Sequence, residues 1–231
     1  MPPPPPPAGT RRLLITAGPT HEPIDAVRFI GNRSSGRLGA ALADRAVVAG
    51  YDVLLLLGPS PAAPSDSRVR TLRFRTCADL QSLLAEHAPW ADVVVMAAAV
   101  ADYRPRVNPE DLSGKRRRTA GGMILELEST PDLLAGVATN RRSGQLLVGF
   151  ALEPRDEMLA SARSKLERKK IDMVVANPLE TMDAPTIEAT VVGLPGTVFA
   201  KGRSTPGCIS KDEFAGWLLA IIEEASRAQR T

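Results

Sequence analysis

The stretch RFIGNRSSGRLGAALADRAVVAGYDVLLLLG, Arg28–Gly58, decides the fold. It opens as a polar loop of Asn, Ser and Gly. From Ser35 its apolar residues recur at helical spacing, and Gly50 closes the helix as a C-terminal cap. The run YDVLLLLG, 51–58, is then short, apolar and strand-like. Upstream, RRLLITAG (11–18) is a second such run; downstream come RVRTLRF (68–74), the helical CADLQSLLAEHA (77–88) and ADVVVMAAAV (91–100). Strand, helix, strand, helix is the grammar of a parallel sheet with crossovers on its faces.

The second half continues it. QLLVGFAL (145–152) and IDMVVAN (171–177) read as strands around the helical RDEMLASARSKLERKK (155–170). TIEATVVGLPGTVFA (186–200) reads as a β-hairpin, and SKDEFAGWLLAIIEEASRA (210–228) as a Ser-capped final helix. The expected fold is α/β: a Rossmann-like, mostly parallel sheet with helices on both faces, plus a basic lid loop and a C-terminal β-hairpin and helix.

Composition narrows the chemistry. The 231 residues, 44% hydrophobic and 24% charged, suit a single domain with its own core over 11–231. MPPPPPPAGT reads as an extended Pro-rich tail over 1–10, without the basic and apolar regions of a secretion signal. No apolar run is long enough to cross a bilayer, so no membrane partner is expected and a cytoplasmic setting is the default. Cys77 and Cys208 form neither a disulfide framework nor a zinc motif, and two histidines leave little room for a His metal cluster or a Ser/His/Asp triad.

In an open parallel sheet, ligands sit at the carboxyl ends of the strands. The loop Gly18–Ser35 is far longer than the usual βα turn of about 2–6 residues. Its end, Ser34-Ser35-Gly36, offers backbone N–H groups, hydroxyls and a helix dipole to an anion. Neither GxGxxG nor GxxxxGK[ST] is present, and Gly58-Pro59-Ser60 stands where a ribose-binding acid belongs in a dinucleotide fold. AAAVADYRPRVNPEDLSGKRRRTAGG (97–122) has the composition of a lid, with Asp102 at its rim and the basic run 114–118 within it. Without interleaved aromatics, that run argues weakly for nucleic acid and better for phosphates. In LESTPDLLAG (127–136) Thr130 reads as the cap of a helix with Pro131 in its first turn. Lys165 and Lys169, four apart, share a helical face.

In order, TAGPTHEPIDAVRFIGNRSSGRLG, AAAVADYRP, a lysine in a basic loop, TPDLLA, VGFALE and KLERKKIDMVVAN resemble the phosphopantothenate-cysteine ligase family, and most closely its bacterial CTP-using branch. The resemblance runs from about Leu13 to Ser210-Lys211. It implies amide formation between 4′-phosphopantothenate and L-cysteine through an acyl-cytidylate, with CTP as co-substrate, Mg²⁺ bridging the triphosphate at ligands that stay unassigned, and a homodimer. No nucleic-acid partner is implied.

The resemblance also implies roles. Asn32 matches the Asn that contacts the activated acyl group, and Lys115 the first lysine of the lid, both as catalytic residues, Lys115 also contacting the nucleotide. Ser34, Ser35 and Gly36 would form the anion site. Ala97, Ala98, Asp102, Pro131, Asp132, Leu133, Leu134, Phe150, Lys165 and Lys169 would contact the nucleotide. Departures from the family pattern are His21 and Ala26, where Arg and Pro are frequent, Arg116–Arg118 in the lid, and Leu152-Glu153-Pro154. The competing reading is a Rossmann-type nucleotide-binding reductase or a non-catalytic nucleotide-binding protein. A reductase of the short-chain type needs Tyr-x-x-x-Lys, which neither Tyr51 nor Tyr103 begins.

Overall fold

The computed structural model describes residues 9–115, 117 and 122–229. The Pro-rich run 1–8 and the lid residues Arg116 and Arg118 lie outside them. The main sheet has eight strands: β1 (Arg12–Ala17), β2 (Asp52–Leu57), β3 (Arg70–Arg73), β4 (Val93–Met96), β5 (Leu146–Glu153), β6 (Met173–Pro178), β7 (Thr190–Gly193) and β8 (Arg203–Ser204). In space they run β3-β2-β1-β4-β5-β6-β7-β8. The first six are parallel, with β1 between β2 and β4, and the last two pairings are antiparallel. The strand order therefore reverses at β1/β4, the crevice where doubly wound sheets bind ligands.

Parallel strands covered on both faces need apolar residues throughout, and β2 supplies them as VLLLL over 53–57, all buried. Successive side chains alternate faces. Leu13, Ile15 and Ala17 join one core beneath helices α1 (Arg37–Val48) and α5 (Lys211–Ala228); Leu14 joins the other, beneath α2 (Cys77–His87), α3 (Leu133–Thr139) and α4 (Met158–Lys169). Helices thus cover both faces, as the alternation of runs requires. Ser210 caps α5 in a reciprocal box with Glu213.

Two local expectations are corrected. The hairpin over 186–200 is instead Thr190–Gly193 paired with the later strand Arg203–Ser204. Between them Gly196 takes a positive φ of 85°, and the chain turns to bury Phe199 under the sheet, so 194–202 cannot continue a ladder. The cap of α3 is Asp132, which accepts from the Ala135 amide at 3.1 Å. Thr130 instead donates its hydroxyl to the Ala101 carbonyl at 2.6 Å, stitching this loop to the one leaving β4.

Candidate functional site

The long loop after β1 is a built structure. His21–Pro23 pairs antiparallel with Phe29–Gly31, and the His21 and Phe29 rings stack at 3.6 Å. The turn is organised by buried Asp25, whose carboxylate accepts from the Val27 and Arg28 amides at 2.9 and 2.8 Å and from Arg28 Nε at 2.9 Å. Buried Glu22 accepts from the Cys77 amide at 2.8 Å, tying the ribbon to the start of α2. The Ala99 amide donates to the Gly18 carbonyl and the Thr20 amide to the Ala99 carbonyl, locking the loops after β1 and β4 together over the crossing point.

That bracing places the residues that follow. Asn32 donates its side-chain amide to the Val100 carbonyl at 2.9 Å, which orients it against the loop from β4. Gly36 caps α1 with φ 69°, and a Cβ there would sit 2.7 Å from Ser60 Oγ. Ser60 needs that space to donate to the Ser35 carbonyl at 2.6 Å. A Cβ on Gly39 would meet Ala17 Cβ at 2.3 Å, so α1 lies directly on β1 only because that residue is glycine.

A cleft of about 700 Å³ opens over the crossing point. It brings together Asn32, Ser34, Ser35, Gly36, Ala97, Ala98, Asp102, Phe150, Lys165 and Lys169, all expected from sequence and drawn from four separate segments. Its lining holds six Lys or Arg side chains against three carboxylates, an excess that favours an anionic ligand. Half-buried Lys165 donates its ammonium to the Phe150 carbonyl. Burial first, and the neighbouring Lys169 charge second, push its pKa down to about 8. Lys169 lies 3.0 Å from Asp132. Burial raises the Asp132 carboxyl, but the Ala135 amide and Lys169 outweigh it and hold that group below the ordinary range.

Other expected residues stand apart. Leu133 and Leu134 are buried in the core beneath α3, and Pro131, Asp132 and Leu133 border a separate apolar cavity of about 230 Å³ rather than the main cleft. Only Asp132 reaches the cleft, through Lys169. Lys115 is exposed and does not line the cleft; the neighbouring Gly114 carbonyl accepts from the Ala26 amide at 3.2 Å, anchoring the approach to the lid on the ribbon loop. Sequence reading missed Arg33, Arg37, Asp183 and Lys211, which close the far end of the cleft. One signal was available: Arg37 and Lys211 open their helices, where the macrodipole disfavours a cation. No cluster of three His, Cys, Asp or Glu side chains fit for a metal occurs among the described residues, and no described helix is long and apolar enough to cross a membrane.

A doubly wound sheet with a cationic, glycine-braced cleft at its crossing point defines a protein of the doubly wound α/β class. Within that class, the family model of the DNA/pantothenate metabolism flavoprotein C-terminal domain matches residues 8–225, and the chain belongs to that family. It is 44% identical over 176 residues to the coenzyme A biosynthesis bifunctional protein CoaBC of Mycobacterium tuberculosis H37Rv, covering 72% of this chain and 41% of that protein. It is also 44% identical over 170 residues to a protein of an unknown prokaryotic organism named cysteine/cysteine sulfinic acid decarboxylase, covering 74% and 46%. The chain thus spans less than half the length of these relatives. The crystal structure of the C-terminal domain of a CoaBC protein superposes with a TM-score of 0.77 at 33% identity, over 94% of this chain and 96% of that one. A Cab2 variant solved with phosphopantothenate-cysteine shares the fold, with a TM-score of 0.76 at 22% identity over 96% and 89% of the two chains.

Proposed function

We propose that this chain joins 4′-phosphopantothenate to L-cysteine using CTP, a step of coenzyme A biosynthesis. The observation that carries the reading is the cleft itself: in a member of this family, four separate segments deliver an oriented Asn, a serine-glycine anion loop and two lysines to one cationic space over the sheet crossing.

The chemistry asks little of protein nucleophiles. A carboxylate oxygen of phosphopantothenate attacks the α-phosphorus of CTP, the bond to the pyrophosphate oxygen breaks, and an acyl-cytidylate and pyrophosphate result. The cysteine amine then attacks the acyl carbon, sheds a proton, and CMP departs as the amide forms. The protein positions the partners and offsets their negative charge. Lys165 and Lys169 would neutralise the triphosphate, with Asp132 giving up Lys169 as the nucleotide arrives. Asp102, Ala97, Ala98 and Phe150, which line the cleft, would frame the nucleoside, with Asp132 at its edge through Lys169. Asn32, held by the Val100 carbonyl, would donate its second amide hydrogen to the oxygen that gains charge as the amine adds. Lys115 would enter from the lid. Ser34, Ser35 and Gly36 would receive a phosphate.

Mg²⁺ would arrive as part of the nucleotide substrate. The carboxylates in the cleft, Asp102, Glu153 and Asp183, come from separate segments, and Asp183 is already paired with Arg33, a donor set suited to a triphosphate-borne ion rather than a protein-built metal centre. The same reading includes a homodimer and a cytoplasmic setting. The exposed apolar side chains of Tyr103 and Leu127, on the ribbon Tyr103–Pro105 with Leu127–Ser129, support a covering subunit there.

The test incubates the protein with phosphopantothenate and Mg²⁺ plus CTP or ATP, with and without cysteine, and follows pyrophosphate and CMP. CTP-dependent pyrophosphate release, with CMP appearing once cysteine is added, is expected. Absence of nucleotide-dependent release in every combination would sink the ligase reading.

A further inference from the structure

A second cavity shares one side chain with the cleft. About 230 Å³ lie between α2 and α3, walled by Leu84 and Ala88 on one side and Leu133 and Val137 on the other. Gln145 borders it too, but its amide hydrogens are already given to the Ala88 and Ala91 carbonyls at 2.7 and 2.8 Å. Gly136 leaves the wall open: a Cβ there would meet nothing within 4 Å. Among the described residues that border this space, Asp132 carries the one charge.

Asp132 stands between the two spaces. Its side chain is 45% exposed against 15% for Lys169, and the 3.0 Å ion pair between them joins a carboxylate of the cavity to an ammonium of the cleft. Burial raises the carboxyl, but the Ala135 amide and Lys169 outweigh it, so the group is ionised at neutral pH. α3 itself is firmly seated. A Cβ on Gly149 would come 2.8 Å from Leu134 Cδ2, a measure of how closely this helix lies on β5. Communication across Asp132 therefore runs through charge rather than through a moving helix.

The consequence is a linkage between the cavity and the cleft. In the free protein Lys169 occupies the carboxylate and the Lys165 charge acts on it as well, so a further cation in the cavity is poorly received. Once phosphates take Lys169, Asp132 is left without a cation in a partly enclosed position, which costs free energy until a new positive partner arrives. The cavity has room for one. A space of about 150 Å³ accepts a benzene ring, so 230 Å³ takes a ring with a short ammonium arm.

Building on the ligase reading, we infer that the α2–α3 cavity binds a small apolar molecule with a single ammonium head, and that this ligand and the nucleotide strengthen each other's binding through Asp132. The ammonium replaces Lys169 on the carboxylate, and Lys169 is left to the phosphates. By reciprocity each ligand tightens the other by the same factor.

The experiment uses benzylammonium as the probe and benzyl alcohol as its neutral counterpart. NMR titration of the full chain measures each with and without saturating Mg²⁺-CTP, with neither phosphopantothenate nor cysteine present. CTP should tighten benzylammonium by about tenfold, within the usual range of coupling between sites, and leave benzyl alcohol unchanged. Lys169→Gln vacates Asp132 permanently, and without nucleotide it should bind benzylammonium about as tightly as the unaltered protein does with CTP. Gly136→Leu places a side chain in the open wall and should bind neither probe, while its Tm holds or rises as glycine leaves a helix interior. Probe binding that survives Gly136→Leu, an equal response of the charged and neutral probes to CTP, or no tightening by Lys169→Gln would overturn the site. Should CTP itself fail to bind, the nucleotide reading falls instead, and the nucleotide-free comparison of Lys169→Gln with the unaltered protein still decides whether Asp132 serves the cavity.

Discussion

The two cationic ends of the cleft are built in opposite ways. On α4 the charges are already engaged: the Lys165 ammonium is bonded to the Phe150 carbonyl and Lys169 to Asp132. On α1 and α5, Arg37 and Lys211 have no carboxylate of their own among the described residues, and Lys211 feels the Arg37 charge directly. An engaged lysine is held in place and must exchange a weak partner for a phosphate; an unengaged one leaves a standing potential that only a ligand relieves. The first arrangement favours geometry, the second discrimination by charge. Asn32, between them, is oriented by a main-chain carbonyl and so is independent of either ligand.

The largest effect that would sharpen this contrast is at that midpoint. Asn32→Asp replaces a donor by an anion where negative charge develops, and amide formation should slow by on the order of 10²-fold while acyl-cytidylate accumulates. Quenched-flow separation of acyl-cytidylate from product reads the two halves; equal slowing of both would show that Asn32 serves binding rather than the second step.

Next in size is the engaged wall. Lys165→Met should raise the KM for CTP by about 10- to 100-fold, as expected for a lost hydrogen bond to a charged group, with little change for phosphopantothenate. Its pH dependence has a definite sign. The ammonium loses its proton as pH rises through about 8, so CTP affinity should fall above that pH. Bound triphosphate favours the charged form, so nucleotide binding just above that pKa should take up a proton. Calorimetry in buffers of different ionisation enthalpy detects that uptake, and Lys165→Arg should abolish it. In the free protein the same depressed pKa makes the buried ammonium a cost that is full below about 8 and declines as pH climbs towards the ordinary lysine value.

Smaller effects test the scaffolding. Asp132→Ala removes both the α3 cap and the partner of Lys169; it should cost about 1 kcal/mol of stability, read by chemical denaturation, and should disturb CTP binding more than phosphopantothenate binding. Ser60→Ala removes the bond to the Ser35 carbonyl and should cost about 1 kcal/mol or less. A larger loss of phosphopantothenate than of CTP affinity would tie that loop to the phosphate end.

Much of this was legible in the chain because the elements that carry it are strongly periodic. β1, β2, β4 and β6 are built around uninterrupted apolar stretches of three or more residues, and α1 and α5 announce themselves through spacing, a glycine end and a Ser cap. The order of the loops at the strand ends then gathered Asn32, Asp102, Phe150 and Lys165 into one place. What escaped was non-local. Phe199 turns inward because of where the last helix leaves room, which no local pattern encodes, and the Asp132 cap won over Thr130 because Thr130 was needed by the Ala101 carbonyl, 29 residues earlier in the chain. Lys211 lies 174 positions from Arg37 in numbering, and only packing of α1 on α5 brings them to one end of the cleft.

The most direct measurement of the central claim is single-turnover analysis of the purified chain with phosphopantothenate, CTP and Mg²⁺. One equivalent of pyrophosphate with an acid-labile acyl-cytidylate, converted to amide and CMP when cysteine is added, is the predicted result. Pyrophosphate that forms only when cysteine is already present, or none with CTP at all, would contradict it.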